Sequence, residues 1–149
     1  MNIVKNINQY SEDNVFFSEP IKNNIVNDAC FIRINYSTQR MTLNGVFLLI
    51  PLIDCTYDKY FNKYRCVFDL DTNIDIIYKL KNIEEGILNK INIFNKSATY
   101  KIYEQLKAGS IKTYDEFIKK PGCSFILKIS GVWETQFNYG LTYKFIHTN

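Results

Sequence analysis

Two hydrophobic periods share this chain, and their order restricts the folds open to it. Apolar and polar residues alternate over 30–36, 64–70, 124–133 and 139–146, the period-two signature of half-buried strands. In the first segment Ile32, Ile34 and Tyr36 face one way and Phe31, Arg33 and Asn35 the other; in the second Cys66, Phe68 and Leu70 oppose Arg65, Val67 and Asp69. Residues 46–53, entered through a turn at Leu43-Asn44-Gly45, form a nearly continuous apolar run that suits a strand buried on both faces, with Pro51 marking an end or a bulge. The tyrosine-rich stretch 57–63 reads as a loop. From 74 to 93 the period changes. Ile76, Ile77, Leu80, Ile83, Ile87, Leu88 and Ile91 recur at steps of three and four, which predicts an amphipathic helix with caps available at Asp71, Thr72 and Asn73. Shorter helices are predicted over 97–108, closed by Gly109, and over 113–119, where Thr113 and Glu116 have capping-box spacing before the break at Lys120-Pro121-Gly122.

Three strands, a helical block and a closing hairpin describe a β-rich or α+β domain and argue against a doubly wound parallel sheet. With 149 residues, 46% of them hydrophobic, the chain is long enough for one self-sufficient core, since a domain near this size buries about 70% of the surface its unfolded chain exposes. We therefore expect a single domain over 1–149, with an N-terminal extension at 1–28 and a helical insertion at 72–120 between strands three and four. No internal repeat or linker divides it.

Several chemistries are excluded by residue supply. One histidine, His147, removes most histidine-based catalysis and multi-histidine metal sites. The four cysteines, Cys30, Cys55, Cys66 and Cys123, show no CxxC or Cys-His spacing that would hold zinc. Cys30, Cys66 and Cys123 lie in or beside apolar runs and read as buried free thiols of a reducing compartment, with a disulfide as the alternative. The chain lacks GxxxxGK[ST], GxGxxG and GxSxG motifs. Its paired acids, Asp69 with Asp71 and Glu84 with Glu85, suit helix capping and a solvated face better than acid–base work. The longest apolar run spans eight residues, far short of the roughly 20 that a spanning helix needs. These readings point to a protein without enzymatic activity, cofactor or membrane partner.

Strand parity supplies a positive reading. If Ile32, Ile34, Cys66, Phe68, Phe125, Leu127, Ile129, Leu141, Tyr143 and Phe145 point inward, then Arg33, Arg65, Lys128 and Lys144 point outward, one from each of four strands. Asn35, Ser130 and Thr142 share their parity, and Asp69 is the single acid there. Aromatic residues make up 15% of the chain, and Phe31, Tyr57, Tyr60, Phe61, Trp133, Phe137 and Tyr139 fall at predicted strand ends or in loops. Cations that follow phosphates and rings that stack bases, at about 1–3 kcal/mol each, are the two parts of a single-strand nucleic-acid site. The charge is also uneven: residues 1–28 hold two Lys against four acids, and residues 119–149 hold four Lys against one Glu. The same cations are equally ordinary solubility devices, and Trp133 suits either a core plug or a stacking platform.

The closing hairpin, with Gly131-Val132-Trp133 at the end of an apolar strand and Gly140-Leu141 opening an aromatic-basic one, resembles single-stranded DNA-binding proteins of large DNA viruses and some phages. The segments Phe17-Ser18-Glu19-Pro20, Phe31-Ile32-Arg33-Ile34-Asn35-Tyr36 and Ile83-Glu84-Glu85-Gly86 are similar to relatives in nucleocytoplasmic large DNA viruses. The resemblance implies an OB-like five-stranded antiparallel barrel, non-enzymatic binding of single-stranded DNA or RNA in viral replication or repair, and residence in the host cytoplasm or the virion. It implies a binding face built from Trp133, Lys128, Lys144 and Arg33, to which parity adds Arg65, and a place at strand ends or in loops adds Phe31 and Tyr139. The rival expectation is a virion structural or assembly protein whose aromatic-rich surface contacts a viral protein or a second copy of the chain.

Overall fold

In a computed structural model of the chain, the described residues are 3–22, 29–61, 63–113 and 123–148. Among them the elements run, in order, β1 (Lys5–Asn6), β2 (Val15–Phe17), β3 (Ile21–Lys22), β4 (Cys30–Ser37), β5 (Thr42–Leu43), β6 (Val46–Leu52), β7 (Cys55–Tyr60), β8 (Lys63–Phe68), α1 (Ile74–Ile91), β9 (Ser97–Thr99), α2 (Lys101–Lys107), β10 (Ser110–Thr113), β11 (Cys123–Glu134) and β12 (Asn138–His147). All five expected strands, four from period two and one from the apolar run at 46–53, are present. Nine strands form one mixed sheet whose path is β1-β6-β11-β12-β9, with β4 beside β11 and β2, β3 and β5 on β4; β7, β8 and β10 form a second, antiparallel sheet.

β11 organises the large sheet. Along one edge it pairs antiparallel with β12 from Phe125 to Glu134. Along the other it pairs with β6 through Cys123 to Ile129 and then with β4 through Gly131 to Glu134. The change of partner coincides with a bulge between Ile129 and Gly131, where an unpaired residue bends and twists a strand. Gly131 is required at this crossing because a Cβ there would lie 2.4 Å from the Ile32 carbonyl oxygen and 2.5 Å from the Phe31 ring.

The inward residues of this sheet meet the helices and the second sheet in one core. Ile32, Ile34, Phe125, Leu127, Ile129, Val132, Leu141 and Phe145 are buried there with Leu48 and Ile50 of β6, Ile77, Leu80, Ile87 and Leu88 of α1, Ile102 and Leu106 of α2, and Cys66, Phe68 and Ile111 of the second sheet. Nine of the ten predicted inward residues are buried; Tyr143 is half-buried, its hydroxyl donating to Gln105 Oε1 at 2.7 Å and to the Lys101 carbonyl at 3.2 Å. His147 packs edge-on to Phe125 and Tyr57, with ring centroids at 5.4 and 5.8 Å.

Five expectations are corrected. The large sheet is not closed into a five-stranded barrel: β1 and β9 end its path, each joined in parallel to its neighbour. The 72–120 block is not purely helical. Ser97–Thr99 pairs with β12 and Ser110–Thr113 with β8, so the block lends a strand to each sheet; the helix predicted over 113–119 falls largely outside the described residues. The tyrosine-rich loop is mostly strand β7, and the 1–28 extension contributes β1, β2 and β3. Finally, Cys66 and Cys30 are free, but Cys55, the cysteine set apart from the apolar runs, is disulfide-bonded. Pro51 is tolerated inside β6 because β1 pairs only as far as Leu49, and among the described residues no strand lies on that flank beyond it.

Two buried polar side chains join elements across the core. Asn73, at the start of α1, leaves its own helix uncapped and holds Ile53 instead: Oδ1 accepts the Ile53 N–H at 2.9 Å, and Nδ2 donates to the Ile53 carbonyl at 2.8 Å and to that of Asp69 at 2.7 Å. Glu84 of α1 caps α2 from outside, its two oxygens each accepting an amide at 2.9 Å, from Ile102 and Tyr103. Burial raises the Glu84 carboxyl above the ordinary glutamate range; the two amides lower it, and Glu104 and Glu85 raise it further. A raised folded-state value means that its favourable contribution is complete below the unfolded value and is lost as pH rises through the folded one. We therefore expect stability to decline between mildly acidic and neutral pH, and Glu84→Gln to flatten that component in urea denaturation. Glu84→Ala should cost about 1–3 kcal/mol by leaving both amides unpaired. An unaltered pH profile in Glu84→Gln would show that Glu84 is not its source.

Candidate nucleic-acid interface

Residues of outward parity on the large sheet form rows that cross neighbouring strands. At one end Ile21, Phe31, Trp133, Gly140 and Thr99 are successive partners across β3, β4, β11, β12 and β9. The next row is Arg33, Gly131 and Thr142, and beyond it come Phe47, Lys128 and Lys144 on β6, β11 and β12. Leu49, Ile126 and Ile146 follow. Rows two residues apart along a strand lie about 6.6–6.8 Å from each other. The face therefore passes from aromatic to cationic to aliphatic over a short distance.

Three of the four predicted cations share this face. Arg33 and Lys144 are exposed and Lys128 is half-buried. Lys128 and Lys144 are direct cross-strand partners, a like-charge pairing that disfavours the sheet itself. No carboxylate forms an ion pair with either lysine or with Arg33 among the described residues. The Lys128 ammonium instead lies over Phe47, 5.6 Å from its centroid. Phe47 was hidden in a run that reads as buried on both faces; only its register opposite Lys128 reveals it as part of the site.

Arg65 does not join them. It belongs to the second sheet, where its Nε and Nη2 donate to the two oxygens of Asp58 at 3.1 and 2.8 Å across the β7–β8 pair. That guanidinium holds the Asp58 carboxyl below its ordinary range. Period two placed Arg65 outward correctly, but a period carries no information about which of two sheets a strand enters.

The aromatic predictions divide. Tyr139 is 5% exposed and belongs to the core, as its shared parity with Leu141 could have shown. Trp133 and Phe31 are half-buried cross-strand partners lying on glycine: a Cβ on Gly140 would stand 2.6 Å from Trp133 Cζ2, and one on Gly131 would meet Phe31. The ammonium of Lys101, the first residue of α2, stands over the indole, 4.8 Å from its centroid. Beside it, Lys96 Nζ bonds Glu134 Oε1 at 2.6 Å. Phe61 and Phe137 are exposed, Tyr57 is half-buried against His147, and the side chain of Tyr60 lies outside the described residues.

No protein-family model, curated protein or solved structure matches this chain. What it does must therefore be read from these surfaces. Among the described residues no three His, Cys, Asp or Glu side chains converge as metal ligands would, and no helix is long and apolar enough to cross a membrane. Burial pushes the Cys66 thiol up to about 11, which keeps it protonated at neutral pH.

The indole seat is directly testable, since Trp133 is the only tryptophan and its emission reports its own surroundings. Gly140→Ala puts a methyl group where the ring lies and should destabilise the protein by about 1–3 kcal/mol. It should also shift tryptophan emission to the red as the ring is displaced. Wild-type emission and stability in this variant would refute the close packing.

Proposed function

We propose that this chain is a non-enzymatic binding protein for single-stranded nucleic acid, DNA in the first instance, which lies across the outer face of the large sheet. The observation that carries the reading is the Lys128–Lys144 pair. Two lysines are direct cross-strand partners on β11 and β12, with Arg33 on the same face and no acid paired to any of the three among the described residues. Like charges so placed oppose folding slightly, and phosphates convert that repulsion into attraction by releasing counterions. The half-buried rings of Phe31, Trp133 and Phe47 border the cations and offer apolar surface to the sugars of a strand laid across them.

The reading needs an open cationic face and not a closed barrel; from the resemblance to viral single-stranded DNA-binding proteins it keeps the hairpin and its cations. With that resemblance the proposal extends to replication or repair of a large DNA virus genome, in the host cytoplasm or carried in the virion. A steep fall of affinity with salt separates this function from a protein-contact role in virion assembly.

The test is fluorescence anisotropy with labelled oligo-dT over a salt series. The double variant Lys128→Gln/Lys144→Gln should bind more weakly at every salt concentration, with a slope of log K against log salt shallower by about 1.4, since each phosphate contact on a single strand contributes about 0.7. Oligo-U in parallel measures any preference for DNA over RNA. No binding by the wild type at low salt would overturn the proposal, and an unchanged slope in the variant would remove these two lysines from the site.

A further inference from the structure

The rings on the cationic face are half-buried, and Phe47 has the Lys128 ammonium over it. Tyr139 is buried, Phe31 rests on the Gly131 backbone beside Ile21 and Trp133, and the indole of Trp133 lies against Gly140 with the Lys101 ammonium over it. A base needs an uncovered ring face.

Two such rings stand at the hairpin end of the same sheet. Phe94 is 85% exposed, in the loop between α1 and β9, and Phe137 is 67% exposed, in the turn between β11 and β12. Their loops are tied together, because the Phe137 carbonyl accepts the Ser97 N–H at 2.9 Å and Phe94 precedes Ser97 by three residues, a reach of at most about 10 Å. The turn that presents Phe137 is well held. Thr135 N–H donates to the Asn138 carbonyl at 2.8 Å, and the Asn138 N–H donates back to Thr135 Oγ1 at 3.2 Å. On the other loop, Asn92 and Asn95 take left-handed backbone conformations on either side of Phe94, with φ of 41° and 62°.

Charge and continuity favour a nucleic acid over an apolar partner. Lys96 is neutralised by Glu134, but the exposed Lys101 stands next to this end of the sheet on the indole of Trp133. From the Phe137 turn, β12 runs on through Gly140 and Thr142 to Lys144, about 20 Å from Asn138 to the cationic row. Phosphate contacts and ring contacts are thus separated along one strand of the protein.

We infer that Phe94 and Phe137 are the base-stacking residues for a single-stranded nucleic acid bound to the outer face, and that Trp133 supports Lys101 rather than a base. The inference rests on the proposed function and deepens it. Stacking is indifferent to base identity, so the site takes single strands with little sequence preference and rejects duplex, whose bases are already stacked.

The experiment compares labelled oligo-dT with an abasic oligonucleotide of the same length, using the full chain and the variant Phe94→Ala/Phe137→Ala. Both side chains are on the surface, so far-UV circular dichroism should be unchanged. The variant should lose at least about 30-fold in affinity for oligo-dT, keep the wild-type salt slope, and bind the abasic strand as the wild type does. Lys128→Gln/Lys144→Gln should weaken both strands alike. Equal losses on the two strands, or none on oligo-dT, would overturn the stacking assignment while leaving the proposed function standing. Failure of the wild type to bind either strand would remove both.

Discussion

The structure depends on one strand having three partners. β11 holds β12 along one edge, and its bulge at Ser130 hands the other edge from β6 to β4. Without that irregularity a straight strand would continue beside β6, and β4 would have no place in the sheet. The bulge also resets the side-chain parity of β11: Ile129 and Val132, three residues apart, both point into the core. Glycine at 131 lets the β4 backbone approach, and glycine at 140 makes room for the indole. One unpaired residue therefore sets the shape of the core on one side and the order of rows on the other.

Electrostatics separate the charges this fold has used from those it has left available. Glu84 is satisfied by two amides, Lys96 by Glu134 and Arg65 by Asp58. Arg33, Lys128 and Lys144 form no ion pair among the described residues, and they lie on one face. A net charge of +3 is too small to suggest a polyanion ligand by itself. Organisation is what gives it weight, because adjacent charges act on the same ligand and scattered ones do not.

The long strands and α1 were legible because each carries enough residues for a period to show. The short elements were not. β1, β3, β9 and β10 have two to four residues, too few for alternation, and they form because a neighbouring strand offers an edge. Ser97–Thr99 and Ser110–Thr113 sit in or next to helix-like sequence and became strands through β12 and β8 respectively. In the site, Arg33, Lys128 and Lys144 were found by parity alone. Phe47 was missed because its run is apolar at every position, and Lys101 because its place over Trp133 comes from a different part of the chain.

Wherever apolar and polar residues alternate, the sequence by itself determined which side chains are core and which are outward, since that follows from a period of two or 3.6 residues along the local backbone. It also determined that the hairpin carries both cations and rings. Only the tertiary structure decided which outward residues are neighbours. Arg65 and Lys128 have the same parity and stand on different sheets, whereas Arg33 and Thr142, more than a hundred residues apart, are joined across Gly131. Strand order and bulge position are global properties set by long-range pairing, and no local period contains them.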